Sequence, residues 1–268
     1  FEDEFWRKLN VEASFLAKMF YNYCITNDLN EMIEKNLPVT TEFAGLLTKY
    51  LKVRKATVSE DTENIDDINF VIEQLLSIAK NYDFGDEVGR REMLQTLRMS
   101  LYDDLTDSQV EIALKVLKKI SINEKDFCQL VSEIIIDIRD EDEEFSMDME
   151  MDFETTDAEE VASNKLKVNR ALQILSICQH MLELTHEPLR GNIPVTSLLD
   201  SVINPAIRSK VSAIREGGVK CLGLCCLLDD MLATEQLAFF GICCAKGNGD
   251  LHSLCLKIIF DILSVHGP

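Results

Sequence analysis

Cysteine and histidine are the residues best able to do chemistry in this chain, and their spacing decides which chemistry is open to them. Cys221, Cys225 and Cys226, with Cys243, Cys244 and the more distant His252, supply the thiolate and imidazole groups that bind zinc. Structural zinc sites set paired ligands two to four residues apart in loops. Here the thiols, Cys255 included, alternate with Leu, Phe and Ile at helical spacing, where cysteine packs as a small apolar side chain. Core packing is the reading adopted, and no metal or cofactor is expected; the competing reading, a metal-dependent enzyme, would require stoichiometric zinc. The odd count of nine cysteines argues for reduced thiols in a cytosolic or nuclear compartment. His180, His186, His252 and His266 are scattered, with no Ser or Cys in a glycine-flanked elbow beside them, so no hydrolytic nucleophile is expected. Gly217-Gly218-Val219-Lys220 lacks the spacing of a phosphate-cradling glycine-lysine loop and lies inside an apolar stripe. No catalysis is expected of the chain.

Charge is the second source of chemistry. Of a formal net charge of -20, the run from Asp137 to Glu160 contributes thirteen carboxylates against the single Arg139. Within it Phe145, Met147, Met149, Met151 and Phe153 alternate with acids. Clustered like charge reads as a self-repelling, disordered loop. The sharper reading is an acidic-hydrophobic interaction segment, or a tether that competes with DNA for a basic groove, with Ser146, Thr155, Thr156 and Ser163 as places where phosphate would add charge. Candidate contacts to a phosphate backbone are Lys165, Lys167 and Arg170, then Arg208, Lys210 and Lys220 with Arg215 nearby, and Lys115, Lys118 and Lys119. Solvated helix faces explain such residues equally, and a continuous basic stripe is needed for phosphate binding. No aromatic platform for single strands accompanies them.

The elements that must carry these residues are helical. The chain is 46% hydrophobic and 28% charged with only five prolines, which suits a folded helical protein. Apolar residues recur three and four apart through nearly every segment outside the acidic run. Trp6, Leu9, Phe15, Leu16, Met19 and Phe20 form one stripe; Asp28 opens a short helix through Ile33, and Pro38 the next through Leu51. Ala56–Asn64 is a polar break. The spacing then predicts helices over Ile65–Ala79, Val88–Leu101, Gln109–Ile120 and Phe127–Ile138, with Thr106, Asp107 and Asn123 as caps. After the acidic run come Ala162–Leu184, Thr196–Val202, Ala213–Leu228, Leu232–Ala245 and Leu251–Val265. The expected division is helical repeats over 1–136, an acidic disordered loop over 137–160, and helical repeats continuing the same solenoid over 161–268. No apolar run approaches the length of a membrane span and Phe1–Arg7 lacks a basic signal-peptide start, so a soluble chain with no membrane partner is expected. Its start at Phe1 and its end after an apolar run read as an internal stretch of a longer protein.

Ser212–Asp230, SAIREGGVKCLGLCCLLDD, narrows the architecture. Ile214, Arg215, Gly218, Leu222 and Gly223 resemble the second helix of a HEAT repeat, with the small positions letting paired helices approach closely. The expected fold is therefore all-α, a HEAT-repeat superhelical solenoid of antiparallel helix pairs. Further blocks appear in order: FWRKL at Phe5–Leu9, the Asn36-Leu37-Pro38 turn, GRREMLQTL at Gly89–Leu97, SEIIIDIR at Ser132–Arg139, VKCLGLCCL at Val219–Leu227 and LKIIFDILSVHG at Leu256–Gly267. Together they resemble a family of HEAT-repeat, non-SMC components of the condensin complex. That resemblance implies a non-enzymatic scaffold that binds the kleisin subunit of condensin and, in the full complex, helps hold double-stranded DNA without sequence preference during mitotic chromosome condensation. It further implies an indirect link to the SMC ATPase pair, which carries the ATP hydrolysis, and residence in the nucleus and on chromosomes with a cytoplasmic pool. No residue is assigned to the kleisin groove. Another HEAT adaptor, such as a nuclear transport receptor or a phosphatase scaffold, remains open as the alternative.

Overall fold

The computed structural model describes residues 1, 3–57, 64–103, 105–141, 145–148, 158–247 and 249–267, and all regular structure among them is helical. The chain divides into two compact units, Phe1–Ser121 and Ile122–Pro268.

The first unit holds α1 (Asp3–Arg7), α2 (Val11–Thr26), α3 (Asn30–Asn36), α4 (Thr40–Thr57), α5 (Ile65–Ala79), α6 (Glu87–Ser100) and α7 (Asp107–Ile120). The packing of α2 on α5, of α4 on both α5 and α6, and of α5 on α7 is that of stacked helix pairs. Phe43, Leu47, Ile72, Leu75, Met93, Leu97, Leu114 and Leu117 fill the seam and are fully buried. Helix starts follow cap chemistry. Asp86 accepts from Gly89 N at 2.8 Å, and Thr106 with Gln109 closes a capping box at α7. Gly89 is required by close approach, since a Cβ there would lie 2.4 Å from Thr40 Cβ.

Two expectations for this unit are corrected. Trp6 and Leu9 are buried, but Phe15, Leu16 and Met19 are about half exposed, so they do not share one buried stripe. The buried face of α2 is instead Ser14, Ala17, Tyr21 and Cys24. Nor does Asp28 open α3. It lies in the left-handed region at φ 54°, a conformation Asp tolerates, and the turn it makes lets Leu29 N reach Cys24 O at 2.9 Å. Residues 58–63 of the polar break lie outside the described residues.

The second unit holds α8 (Glu124–Asp140), α9 (Ala158–Glu183), α10 (Ile193–Leu198), α11 (Asn204–Arg208), α12 (Ser212–Leu228), α13 (Asp230–Lys246) and α14 (Gly249–His266). Leu199–Ile203, between α10 and α11, winds as a π-helix rather than continuing the expected α-helix. Pro205 follows it, has no N–H to offer the preceding turn, and favours such a change of register. Helix α12 is the hub, packing on α9, α11, α13 and α14. Its glycines set those distances: a Cβ at Gly218 would lie 2.9 Å from both Ala206 Cβ and Ile207 N, and one at Gly223 2.8 Å from Ile258 Cγ1.

Helix α8 runs to Asp140 and α9 begins at Ala158, so both ends of the acidic run are helical. The expected loop is otherwise described only at 141 and 145–148, and residues 142–144 and 149–157 lie outside the described residues.

Candidate functional site

The thiols are placed as packing groups. Cys24, Cys128, Cys178, Cys221, Cys225, Cys226 and Cys255 are buried, and Cys243 and Cys244 partly so. A hydrogen bond with Cys221, then burial, hold the Cys178 thiol well above its ordinary range, and burial pushes Cys226 and Cys255 up to about 12. Such shifts suppress the thiolate, the form that attacks carbonyls or binds metal. His252 Nδ1 lies 2.7 Å from the Cys244 carbonyl oxygen. Among the described residues no group of three or more His, Cys, Asp or Glu is placed to hold a metal ion.

The basic candidates separate into structural and exposed groups. On α7, Lys119 Nζ donates to Tyr82 O at 2.7 Å and Lys80 O at 3.2 Å and stands 5.9 Å from the centre of the Phe84 ring. It satisfies carbonyls at the end of α5, and partial burial lowers its pKa. Lys115 pairs with Glu111 one turn away, and Lys118 is half-buried. Arg215 Nη1 donates to Ser209 O at 3.0 Å across the α11–α12 connection. Arg208, which ends α11, Lys210, within that connection, and Lys220, about two turns into α12, are exposed.

On α9, Lys165 is exposed while Lys167 and Arg170 are half-buried. Lys167 and Arg170 are three residues apart and share a face; Lys165 lies about 160° away from Lys167 around the helix. Arg170 is engaged: its Nη2 is 3.3 Å from Glu141 Oε2 and its guanidinium lies 5.9 Å from the centre of the Phe145 ring. Met147, in the same acidic stretch, is only 2% exposed.

Apolar residues left outside the seams mark the other candidate surface. On α2, Phe15, Leu16, Met19 and Tyr23 are 48%, 54%, 48% and 62% exposed, and they recur at helical spacing on the side opposite Ala17, Tyr21 and Cys24. Met32 on α3 is also exposed. In the second unit, Leu256, Phe260 and Leu263 form a corresponding exposed row on α14, opposite the buried Cys255, Ile258 and Ile262. A soluble helix ordinarily carries one apolar stripe, and these two carry a second. The spacing of Phe15, Leu16, Met19 and Tyr23 was visible in the sequence, but its period is the same as that of the buried row. Only packing tells them apart.

Residues 173–268 match the family described as nuclear condensing complex subunits, C-terminal domain. The whole chain is 35% identical to condensin complex subunit 3 of Saccharomyces cerevisiae and 30% identical to condensin complex subunit 3 of Schizosaccharomyces pombe, covering 32% and 34% of those proteins. The crystal structure of the S. pombe condensin Cnd3-Cnd2 subcomplex contains the same fold, with a TM-score of 0.82 and 30% identity over 100% of this chain and 33% of that one. The chain thus spans about a third of the length of the relatives it matches. Along its whole length, in sequence and in its HEAT-repeat helices, the chain is similar to a segment of condensin complex subunit 3.

Proposed function

We propose that the chain is a non-enzymatic scaffold segment of condensin that seats an extended stretch of the kleisin subunit and helps hold double-stranded DNA without sequence preference during chromosome condensation, in the nucleus and on chromosomes. The observation that carries this reading is the match of the entire chain, at a TM-score of 0.82, to a subunit solved together with Cnd2.

The exposed row on α2 is the proposed seat for the partner. An extended segment needs a few apolar anchors entering a preformed surface, and Phe15, Leu16, Met19 and Tyr23 offer one at regular spacing. Full burial of one such side chain from water contributes about 1.5–3 kcal/mol, so the whole row, with further contacts along the segment, is needed to offset the ordering of the partner. Exposed Arg208, Lys210 and Lys220 are the proposed phosphate contacts; point charges on a helical scaffold reach the backbone but carry no base readout. The link to the SMC ATPase pair is made through the kleisin. Against a net charge of -20, DNA contact by this chain alone is weak and salt-sensitive.

Calorimetric titration of the chain with overlapping peptides covering Cnd2 tests the reading. One saturable peptide is expected, with its Kd raised at least about tenfold by Met19→Glu, as loss of a central anchor requires. Binding by no peptide, with a basic transport-cargo peptide binding instead, would move the chain to the general HEAT-adaptor class. A second reading of the same row, as a seam for an adjoining repeat, is favoured by the relatives being about three times as long. It predicts that Met19 is already protected from oxidation in a longer form of the protein without any peptide.

A further inference from the structure

A cavity of about 440 Å³ opens in the first unit between α1, the turn that follows α3 and the first half of α4. Two hydrogen bonds fix that turn: Trp6 Nε1 donates to Asn36 O at 3.1 Å, and the Tyr82 hydroxyl donates to Pro38 O. Lys49 Nζ, from α4, donates to Arg7 O at 2.6 Å and ties α1 to α4. The cavity is thus built into the fold, as side-chain and ligand clefts usually are. Its wall is largely apolar, with Trp6, Leu37 and Leu46 buried in it. Its charge is opposite to that of the chain. Exposed Arg7, Lys35 and Lys49 line it with the single acid Glu42, in a chain whose acids outnumber its bases 47 to 27. Gly45 also lines it, and a Cβ there would meet nothing within 4 Å. The same glycine lines a second hollow, between α4 and α6, with Thr48, Arg91 and Thr96. Bare backbone at 45 therefore leaves a crossing from the cavity over α4.

We propose that this cavity docks an acidic segment of a partner protein through one bulky apolar side chain, with flanking carboxylates held by Arg7, Lys35 and Lys49 and the segment crossing α4 over Gly45. An apolar pocket of this size rewards a large side chain that would otherwise stand in water. Exposed lysine and arginine add little affinity of their own, because water and salt screen them. The anchor therefore supplies the hold, and the cations decide which flanking charge is accepted. A basic segment meets repulsion from the same three groups. No residue of the exposed α2 row lines the cavity, so the inference does not rest on the kleisin seat proposed there.

The test is fluorescence anisotropy, at low salt with the intact chain, of a labelled peptide carrying one tryptophan between runs of aspartate and glutamate. Saturable binding is expected, weakened at least about tenfold when the tryptophan is replaced by alanine or the acids by lysines. Gly45→Gln sets a neutral side chain in the crossing without a clash, and a helix interior favours it over glycine. Its thermal midpoint should hold while affinity falls at least about tenfold. Gly241→Gln, at another helical glycine with nothing within 4 Å of its Cβ position, is the matched control and should bind as the parent does. Arg7→Glu with Lys35→Glu should turn the preference toward the lysine peptide. Equal binding by the parent and Gly45→Gln, equal binding of the acidic and lysine peptides, or no binding by the parent overturns the proposal. So does a longer form of the protein that no longer takes the peptide, since the cavity would then be filled by the protein's own residues.

Discussion

Tyr82 packs against Phe43 with ring centres 4.9 Å apart and against Tyr21 at 6.2 Å, and its hydroxyl donates to the Pro38 carbonyl. Burial, with the charges of Asp83 and Glu42, pushes its pKa up to about 12, and burial raises that of Tyr21 as well. A folded pKa above the unfolded value of 10.0 means that the folded chain binds the proton more tightly. Its contribution is complete below pH 10 and is lost as pH rises to about 12. Chemical denaturation followed by circular dichroism should show stability falling over that window by up to about 2 kcal/mol from this residue. Tyr82→Phe should flatten the fall while costing stability at neutral pH through the orphaned Pro38 carbonyl. The thiols give a second check at this scale. Brief alkylation followed by mass spectrometry should label Cys243 and Cys244 first, and the seven buried cysteines only on unfolding. Rapid labelling of Cys221 or Cys225 would contradict the packing described. Helical spacing among Leu and Phe pointed to thiols as filler, whereas the role of Lys119 as a cap for carbonyls of Lys80 and Tyr82 depends on partners about forty residues away and left no local signal.

Among the elements, α12 shows most clearly how composition sets packing. Gly218 faces Ala206 and the backbone nitrogen of Ile207, which cannot move without shifting α11, whereas Gly223 faces only side-chain atoms, those of Ile258. Gly218→Ala should therefore destabilise by about 1–3 kcal/mol, and Gly223→Ala by less, with the lower midpoint for Gly218→Ala in thermal melts of the two variants. An equal or reversed order would show that the α11–α12 approach is not limiting. The spacing that predicts a helix over Ile65–Ala79 meets α5 at the same bounds, because an uninterrupted apolar period lies between polar ends. The π-helical turn at Leu199–Ile203 was not legible, since Pro205 signals a break in the hydrogen-bond register but not the form the break takes. Nor was the outward row of α2: both faces of that helix are apolar, and a periodicity cannot say which one meets a neighbour.

For the whole chain, charge decides behaviour in solution. Net charge falls to zero near the sequence pI of about 4.6, where the repulsion that keeps molecules apart disappears. The exposed rows on α2 and α14 then favour association. Light scattering should rise steeply as pH falls from 6 toward that value, and Phe15→Glu with Phe260→Glu should reduce the rise at pH 6 to 5. Scattering unaffected by these substitutions would assign the association to charge loss alone. The sequence by itself determined the all-α class, most helix positions, the caps at Thr106 and Asn123 though not those at Asp107 and Asp28, and the likeness to a condensin HEAT-repeat component, because each depends on local spacing and on residue order. Only the tertiary structure decided which apolar rows are seams and which remain open, which lysines cap helices and which stay exposed, and that Phe145 of the acidic run lies near Arg170 while Met147 is buried. Those distinctions arise from which surfaces meet across tens of residues. A one-dimensional period of apolar and charged residues is the same on either side of that choice.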